Sequence, residues 1–359
     1  MEVALLANTA WLDEELSLYN DLVVGLIDEQ VKVTQVLPEG EGERLAPGFG
    51  RVVPWPETSW RRLNQHRLKR MTRRFEKQPP DVVHAMDGRM WPVAVAWGRR
   101  LGVPVVLSSW SVLDLPVARR LRRRLDPASC AFAAATAPLK RMLGQQVDPA
   151  FKVELTPSGV HVPAEPARDA EDREARSVVV TGNGRLDDYV AALFAGLRGL
   201  IDRYPDTQVF VDTMGADQRA LWKHAEALGL LPNLSFVPRR IGHREMLLRA
   251  DLFLQPQPLG RARSLLLQAM AHGRPVLAEY DDALDFLIDG QTAAVVEAPD
   301  PEAWGGVLIE WARSGRRRAE LGESARRWVA QHRVASSFVG NVHQLYRVVS
   351  GESLPFDAG

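Results

Sequence analysis

The chain has 359 residues, 46% of them hydrophobic, which is enough for two hydrophobic cores of about 150–200 residues each. Its 45 basic and 45 acidic residues balance formally, so the chain as a whole is neither a polycation nor a polyanion. Cys130 is the only cysteine, which excludes an intramolecular disulfide and a thiolate zinc cluster and is typical of a reducing compartment.

The chain starts with MEVALLANTAWLDEE, where no basic residue precedes the short apolar run and acidic residues follow it. This order is not that of a secretory signal peptide. No window contains the roughly 18–20 uncharged apolar residues that a membrane-spanning helix requires. We therefore expect a soluble protein located in the cytoplasm.

In the first half, short β-rich apolar runs alternate with longer amphipathic segments, the pattern of parallel strands joined by crossover helices. A helix is predicted over Trp91–Leu101, with Gly102 as its left-handed cap and Pro104 preventing its continuation. The predicted strands are Val3–Leu6, Val31–Val36, Val82–His84 and Val103–Ser108.

Two segments of the first half are strongly basic, residues 60–75 and residues 117–125. In the second segment Val117, Leu121 and Leu125 recur every four residues, which predicts one helix with an apolar stripe and an arginine-covered remainder. A solvated helix face, an anionic membrane surface and an anionic acceptor are all consistent with this pattern. Nucleic acid is not favoured, because no aromatic platform or known binding motif accompanies the charge.

The strand and helix pattern restarts at SVVVTGNG (177–184), after a segment rich in proline, alanine and charge. We therefore predict an N-terminal domain over 1–156, a linker over 157–177 and a second domain over 178–335. The tail, 336–359, has apolar residues at helical spacing and is predicted to pack back on the first domain. The predicted fold class is α/β, with two Rossmann-like domains facing each other across a cleft at the carboxyl ends of their strands.

Several segments of the chain stand in an order that is characteristic of one family. They are KVELTPSGVHV, VVVTGNGRL, ADLFLQPQ, LLLQAMAHGRPVLA and DALDFLIDG. The chain resembles the retaining GT-B glycosyltransferases (group 1, family 4), clearly from Val153 to Ala330 and weakly before. The resemblance implies a GT-B fold, a nucleotide-diphosphate sugar as co-substrate, no other cofactor and no metal. Helix ends and core packing explain part of the same pattern.

The resemblance assigns donor binding to the first loop of the second domain, with Gly184 and Arg185 in GNGRLDDY. Arg185 stands at the family's phosphate-binding arginine, but the accompanying lysine is missing and Asp187 and Asp188 follow. Each carboxylate would repel a diphosphate by about 1 kcal/mol or more when partly buried. Arg185 is thus interpreted either as a phosphate ligand or as a surface charge.

The family's two donor-binding glutamates correspond to Gly260 and Gln268. Gly260 has no side chain to accept a sugar hydroxyl, whereas Gln268 can bond one ribose hydroxyl as a neutral partner. Arg261 and Arg263 precede a helix that Ser264 is suited to cap. We interpret both arginines as an anion site replacing the missing lysine, with two solvated loop arginines as the alternative.

The candidate catalytic residues are His84 and Asp285, which match a histidine and an acid of the family and would orient the sugar. A histidine at a buried strand end is also explained as a core residue. Asp281 and Asp282 replace the two glycines before the family's acid. We interpret them as surface charge, because two adjacent carboxylates are poor evidence for a metal site.

On the acceptor side, Asn8 lies where the family has a Gly-Gly turn, and Trp110 lies where a strand-end motif usually has histidine. Trp110 would either stack on a sugar or fill space in the core. The resemblance also favours a peripheral position at the inner membrane face, through the basic segments.

Two functions remain open from the sequence. The first is a glycosyltransferase that binds a nucleotide sugar, or another anionic small molecule, and acts on an unknown acceptor. The alternative is a catalytically inactive homologue that serves as a binding or scaffold module, which would tolerate the loss of the family's glutamates, lysine and glycine turns.

Overall fold

The computed structural model describes residues 1–44, 50–55, 61–166, 173–213, 218–238, 246–296 and 299–351. The chain divides into two compact units. Unit 1 comprises Met1–Gly159 and Ala335–Gly359, and unit 2 comprises Val160–Val334. Part of the predicted linker, residues 167–172, and residues 352–359 of the predicted tail lie outside the described residues.

Unit 1 is built on a parallel sheet of seven strands in the order β3-β2-β1-β4-β5-β6-β7. The strands are β1 Glu2–Leu6, β2 Lys32–Leu37, β3 Arg51–Pro54, β4 Val82–Ala85, β5 Val105–Ser109, β6 Cys130–Ala134 and β7 Lys152–Leu155. The helices of this part of the chain are α1 Thr9–Asp28, α2 Arg61–Phe75, α3 Trp91–Leu101, α4 Leu115–Leu121 and α5 Ala137–Gly144.

Unit 2 is built on a parallel sheet of six strands in the order β10-β9-β8-β11-β12-β13. The strands are β8 Ser177–Val180, β9 Gln208–Thr213, β10 Leu234–Pro238, β11 Leu252–Gln255, β12 Val276–Glu279 and β13 Ala294–Val296. The helices of this unit whose two ends both lie among the described residues are α6 Asp188–Arg203, α7 Gln218–Ala227, α8 Ser264–Ala271, α9 Pro301–Arg313 and α10 Gly315–His332.

Buried central strands explain the apolar runs of the sequence. In unit 1, Leu5 of β1 pairs with Gln35 of β2 on one side and with His84 of β4 on the other. All residues of β4, β5 and β6 are buried, as expected for parallel strands covered on both faces. Their carboxyl ends therefore form one edge of the sheet, where loop residues can meet.

A last helix, α11 (Ala335–Ser350), belongs to unit 1 and packs against α1 and strands β4, β5 and β6. Its buried residues include Phe338, Val342 and Leu345, which the sequence places on one helical face. Gly25 of α1 lies under Val339, so close that an added Cβ would stand 2.6 Å from a Val339 methyl group. The two helices therefore depend on a glycine at this contact.

The ends of the helices follow the local sequence signals in most cases. The predicted left-handed cap at Gly102 is confirmed, with φ of 69°. The prediction of one helix over 117–125 is wrong, because α4 ends at Leu121 and a 3-10 turn, Arg122–Arg124, follows. None of the helices among the described residues combines the length and the apolarity needed to cross a bilayer.

Gly322 of α10 and Gly273, which follows α8, are in close contact. A Cβ at position 322 would lie 1.9 Å from the Gly273 carbonyl oxygen, so we expect Gly322→Ala to lower the free energy of unfolding by about 2–3 kcal/mol. The matched control is Gly306→Ala in α9, where an added Cβ would meet no heavy atom within 4 Å beyond its chain neighbours and its own helix backbone. This control should be neutral or stabilise by about 0.5–1 kcal/mol. Urea unfolding measures both, and equal midpoints would contradict the close approach.

Candidate functional site

The carboxyl edge of the unit 2 sheet carries a glycine-containing loop between β8 and α6. Gly184 has φ of 76°, which favours glycine at that position. Gly182 lies against Gln257, since an added Cβ would stand 2.7 Å from the Gln257 Oε1 atom. The loop thus places Gly184 and Arg185 beside the start of a helix of 16 residues.

The side chain of Gln257 holds this loop. Its Oε1 accepts the Asn183 backbone N–H at 2.9 Å, and its Nε2 donates to Asn183 Oδ1 at 3.1 Å and to Asp187 Oδ2 at 2.5 Å. Gln257 is 2% exposed, so these bonds are shielded from water. The sequence analysis did not single out Gln257, because it is 74 residues from Asn183 in the chain.

Asp187 is the N-cap of α6 and accepts the Val190 backbone N–H at 3.0 Å. Its carboxylate thereby occupies the helix N-terminus, where the partial positive charge favours an anion. Asp188 is exposed in the first helical turn, and Arg185 is exposed on the loop. The cavity beside the loop has a volume of about 10 Å³, room for about one water molecule.

Arg263 is buried and forms an ion pair with Asp212 of β9, with Nη2 and Oδ2 3.2 Å apart. It also contacts the Gly182 carbonyl oxygen at 3.5 Å. Arg263 itself is the N-cap of α8, with no side-chain cap bond, so the expectation that Ser264 caps the helix is wrong. Arg263 is therefore buried rather than solvated, and Asp212 neutralises its charge. Through the Gly182 carbonyl oxygen it contacts the loop between β8 and α6.

The turn at Gly260 contacts a carboxylate that the sequence analysis had interpreted as surface charge. Asp281 is buried, and its two carboxylate oxygens accept the Gly260 N–H at 2.8 Å and the Ala283 N–H at 3.0 Å. Burial raises the pKa of Asp281, and these backbone hydrogen bonds oppose that rise. Asp282 is exposed, as expected, and Arg261 next to the turn is partly exposed.

The other unit 2 candidates have partners within the same unit. Gln268 is half-buried and donates to Ser264 Oγ at 3.1 Å, one turn earlier in α8. Asp285 forms an ion pair with Arg333, whose guanidinium lies over the Phe286 ring at 5.7 Å. Burial lowers the pKa of Arg333, and the Asp285 carboxylate opposes that change.

A second buried acid ends β12 at the same carboxyl edge, and the sequence analysis missed it. Glu279 accepts the indole N–H of Trp304 at 2.9 Å. Burial raises the pKa of Glu279, and the bond from Trp304 opposes the rise. No sequence motif marks this residue, because its partner lies in α9.

In unit 1, His84 is fully buried at β4 between two hydroxyl groups. Its Nδ1 lies 2.5 Å from Tyr346 Oη, and its Nε2 lies 2.7 Å from Ser108 Oγ. Burial lowers the pKa of His84 to about 3, so the ring is neutral near pH 7. In this arrangement His84 connects α11 to the sheet, as the core-residue interpretation expects.

Asn8 and Trp110 also have contacts within unit 1 that stabilise its fold. Asn8 caps α1 by accepting the Trp11 N–H at 3.1 Å, and its amide donates to the Asp87 carboxylate. Trp110 is 3% exposed and packs 5.6 Å from Trp11 and 6.0 Å from Phe338, measured between ring centroids. Trp110 therefore fills space in the core of this structure.

Two family models match the chain. Residues 19–154 match the glycosyl transferase 4-like domain, and residues 178–328 match the glycosyl transferases group 1. Among curated protein sequences, none matches the chain.

Solved structures are similar over nearly the whole chain. A glycosyltransferase from Rickettsia africae ESF-5 has a TM-score of 0.78 at 10% identity, covering 98% of this chain and 99% of that one. Sucrose-phosphate synthase from Thermosynechococcus elongatus has 0.75 at 15% identity, covering 98% and 100%. Anabaena HepE in complex with UDP-glucose has 0.76 at 15% identity, covering 97% and 100%. At these identities the likeness concerns the fold, and the predicted GT-B fold class is confirmed.

The buried His84 makes unit 1 sensitive to acid. In the unfolded chain its imidazole binds a proton below about pH 6.5, whereas the native ring stays neutral to about pH 3, so stability falls as pH drops through this window. We expect His84→Gln to reduce the slope of unfolding free energy against pH by up to about 1.4 kcal/mol per pH unit. Urea unfolding at several pH values measures the slope.

The control for this experiment is His343→Gln on α11, since His343 contacts Glu29 at 3.7 Å near the surface. Such a surface pair contributes only about 0–1 kcal/mol. The control should therefore keep the acid-induced loss of stability. If His84→Gln and the control had the same slope of unfolding free energy against pH, His84 would not be the source of the acid sensitivity.

Proposed function

Since the chain is built from the two domains of a GT-B glycosyltransferase, we propose that it transfers a sugar from a nucleoside-diphosphate sugar to an acceptor. Retention of configuration at the sugar is part of this proposal and derives from the family resemblance alone. HepE, whose fold is similar, has been solved with UDP-glucose, which makes uridine nucleotides the first donors to test.

The observation that carries the proposal is the loop between β8 and α6. A glycine-containing turn leads from the carboxyl end of a parallel strand into a helix N-terminus, and Arg185 is exposed on that turn. Backbone N–H groups and a helix dipole at this position favour a phosphate group. In the proposed complex Arg185 neutralises the diphosphate, with Arg261 as the second cation, while Gln268 holds the ribose.

Donor binding at this loop has to compete with the protein's own side chains. Asp187 occupies the helix N-terminus, and Gln257 bonds the Asn183 N–H. A diphosphate would lie next to the Asp187 carboxylate, or the loop would have to release that carboxylate first. We therefore propose a donor affinity that is limited by Asp187 and a loop that rearranges on binding.

The second candidate function is a catalytically inactive homologue that acts as a binding or scaffold module. The ion pair of Arg263 with Asp212 favours it, because the pair removes one of the candidate donor cations. The small cavity beside the loop favours it as well. In this alternative the family fold is kept and the donor chemistry is lost.

The proposed partners include an anionic membrane or an anionic acceptor at the basic segments of unit 1, with the protein in the cytoplasm or at the inner membrane face. Near an anionic bilayer each cation contributes about 1 kcal/mol of attraction. The structure does not describe the side chains of residues 60–67. The exposed cations of the two segments are Lys69, Arg70, Arg73, Arg74, Arg119, Arg120, Arg122, Arg123 and Arg124.

Calorimetry and thermal shift with UDP, GDP, ADP and their glucose conjugates test the proposal. Ligand at one hundred times its dissociation constant should stabilise the protein by about 2.7 kcal/mol. Donor hydrolysis or transfer of radiolabelled sugar supports the transferase. Binding without either reaction supports the inactive homologue, and a lack of response to every nucleotide would end the transferase proposal.

Arg185→Ala should weaken UDP binding by about tenfold, because it removes one charge-assisted bond to phosphate. The matched control is Arg203→Ala, an exposed arginine at the far end of α6, about 24 Å along a helix of this length. Calorimetry of both variants with UDP measures the difference. Equal affinities would remove Arg185 from the donor site.

Asp187→Ser should strengthen UDP binding by about fivefold or more, because serine keeps the helix cap and removes the carboxylate. Asp188→Ser removes the same charge one residue later, from a side chain that does not cap the helix. A gain confined to Asp187→Ser fits competition at the helix N-terminus. An equal gain in both variants would show that the change in net charge alone explains the stronger UDP binding.

A further inference from the structure

Unit 1 has a pocket at the amino edge of its sheet, at the start of β5 and β6. It has a volume of about 450 Å³, within the range of small-molecule sites. Val105 and Cys130, the first residues of the two strands, form its floor, and Gly102 at the end of α3 forms part of its rim. We call this cavity the amino-edge pocket.

Three arginines from two separate elements line the amino-edge pocket. Arg99 comes from the last turn of α3, and Arg123 and Arg124 come from the 3-10 turn after α4. All three side chains are exposed, and none of them has an ion pair with another described residue. Bringing three guanidinium groups to one cavity is unfavourable unless an anion or solvent compensates them.

One carboxylate, that of Asp126, is among the residues that line the pocket. It is already engaged, since it accepts the Ala128 N–H at 3.1 Å and lies 3.5 Å from Ser129 Oγ. Three guanidinium groups against this single carboxylate leave a formal excess of two positive charges. That excess matches the charge of a phosphate monoester.

The dipole of α3 explains only part of the arginine cluster. A helix C-terminus carries about half a negative charge, which Arg100 in the same last turn already offsets. Arg123 and Arg124 come from a different element, so the end of α3 does not require them. The convergence of these side chains on one cavity is a property of the pocket rather than of either helix.

Apolar side chains form another part of the pocket lining. Val95, Val103 and Leu125 line the pocket beside the arginines. Burial, and then the nearby Asp126, raise the pKa of the Cys130 thiol to about 12, so the thiol is neutral near pH 7 and adds no charge to the floor. A ligand that fits these walls has a phosphate group next to an apolar portion.

We propose that the amino-edge pocket binds a phosphate monoester with an apolar portion, held by Arg99, Arg123 and Arg124. This goes beyond sugar transfer, because the pocket lies at the amino edge of the unit 1 sheet, whereas the proposed donor loop follows β8 of unit 2; it assigns Arg123 and Arg124, named above among the basic-segment cations, to one cavity. The same chemistry is offered by a free phosphorylated metabolite and by the phosphomonoester headgroup of a lipid.

The full-length protein tests this with two probes, hexyl phosphate by calorimetry and phosphatidylcholine vesicles with or without phosphatidic acid by flotation. Two variants alter the pocket, Arg99→Gln and the double variant R123Q/R124Q. Two controls remove the same charge from neighbouring exposed arginines that do not line it, Arg100→Gln and the double variant R119Q/R122Q.

We expect each pocket variant to bind at least one probe about tenfold more weakly than its own control. Loss with hexyl phosphate identifies a free metabolite, and loss confined to phosphatidic acid vesicles identifies a lipid headgroup. Equal loss in pocket and control variants would show a diffuse basic face and overturn the proposal, as would no binding of either probe. UDP binding measured in the same variants should be unchanged, which separates this site from the donor site.

Discussion

The interaction that most constrains the loop between β8 and α6 is the bond between the Asp187 carboxylate and the N-terminus of α6. A helix N-terminus at the carboxyl edge of a parallel sheet favours one anion, and here the chain supplies that anion itself. Gln257 adds a second internal bond to the same loop, at the Asn183 N–H. The hydrogen-bonding groups of this loop are therefore satisfied without a ligand, so the proposed diphosphate would have to replace these internal contacts.

The same pattern recurs at the strand ends of both units, where polar side chains serve the fold. His84 connects the sheet to α11, Asn8 caps α1, and Arg263 supports a loop through Asp212. Asp281 likewise holds the Gly260 turn. Each of these groups is buried and has a partner, which removes the large desolvation penalty of an unpaired polar group. A buried, partnered side chain can still contact a ligand, but only after its partner has been exchanged.

The two parallel sheets could be predicted from the sequence because their signals are local. Runs such as residues 105–107 are apolar throughout, and Gly102 marks the end of the preceding helix. The contacts of the candidate site could not be predicted in this way, because the residues that form them are far apart in the chain. The sequence does not indicate that Arg263 meets Asp212, 51 residues away, or that Asp281 turns inward while Asp282 stays exposed. The charge of a residue alone could not show whether its side chain binds a ligand or forms an ion pair within the protein.

The contact of α11 with the rest of unit 1 has a consequence for the order of events during synthesis. Tyr346 meets His84 across 262 residues of intervening chain, and Val339 packs on Gly25. The amino-terminal Rossmann-like unit thus lacks one of its covering helices until translation has passed the entire second unit. Until then, the face of unit 1 that α11 covers in the folded protein stays without that cover.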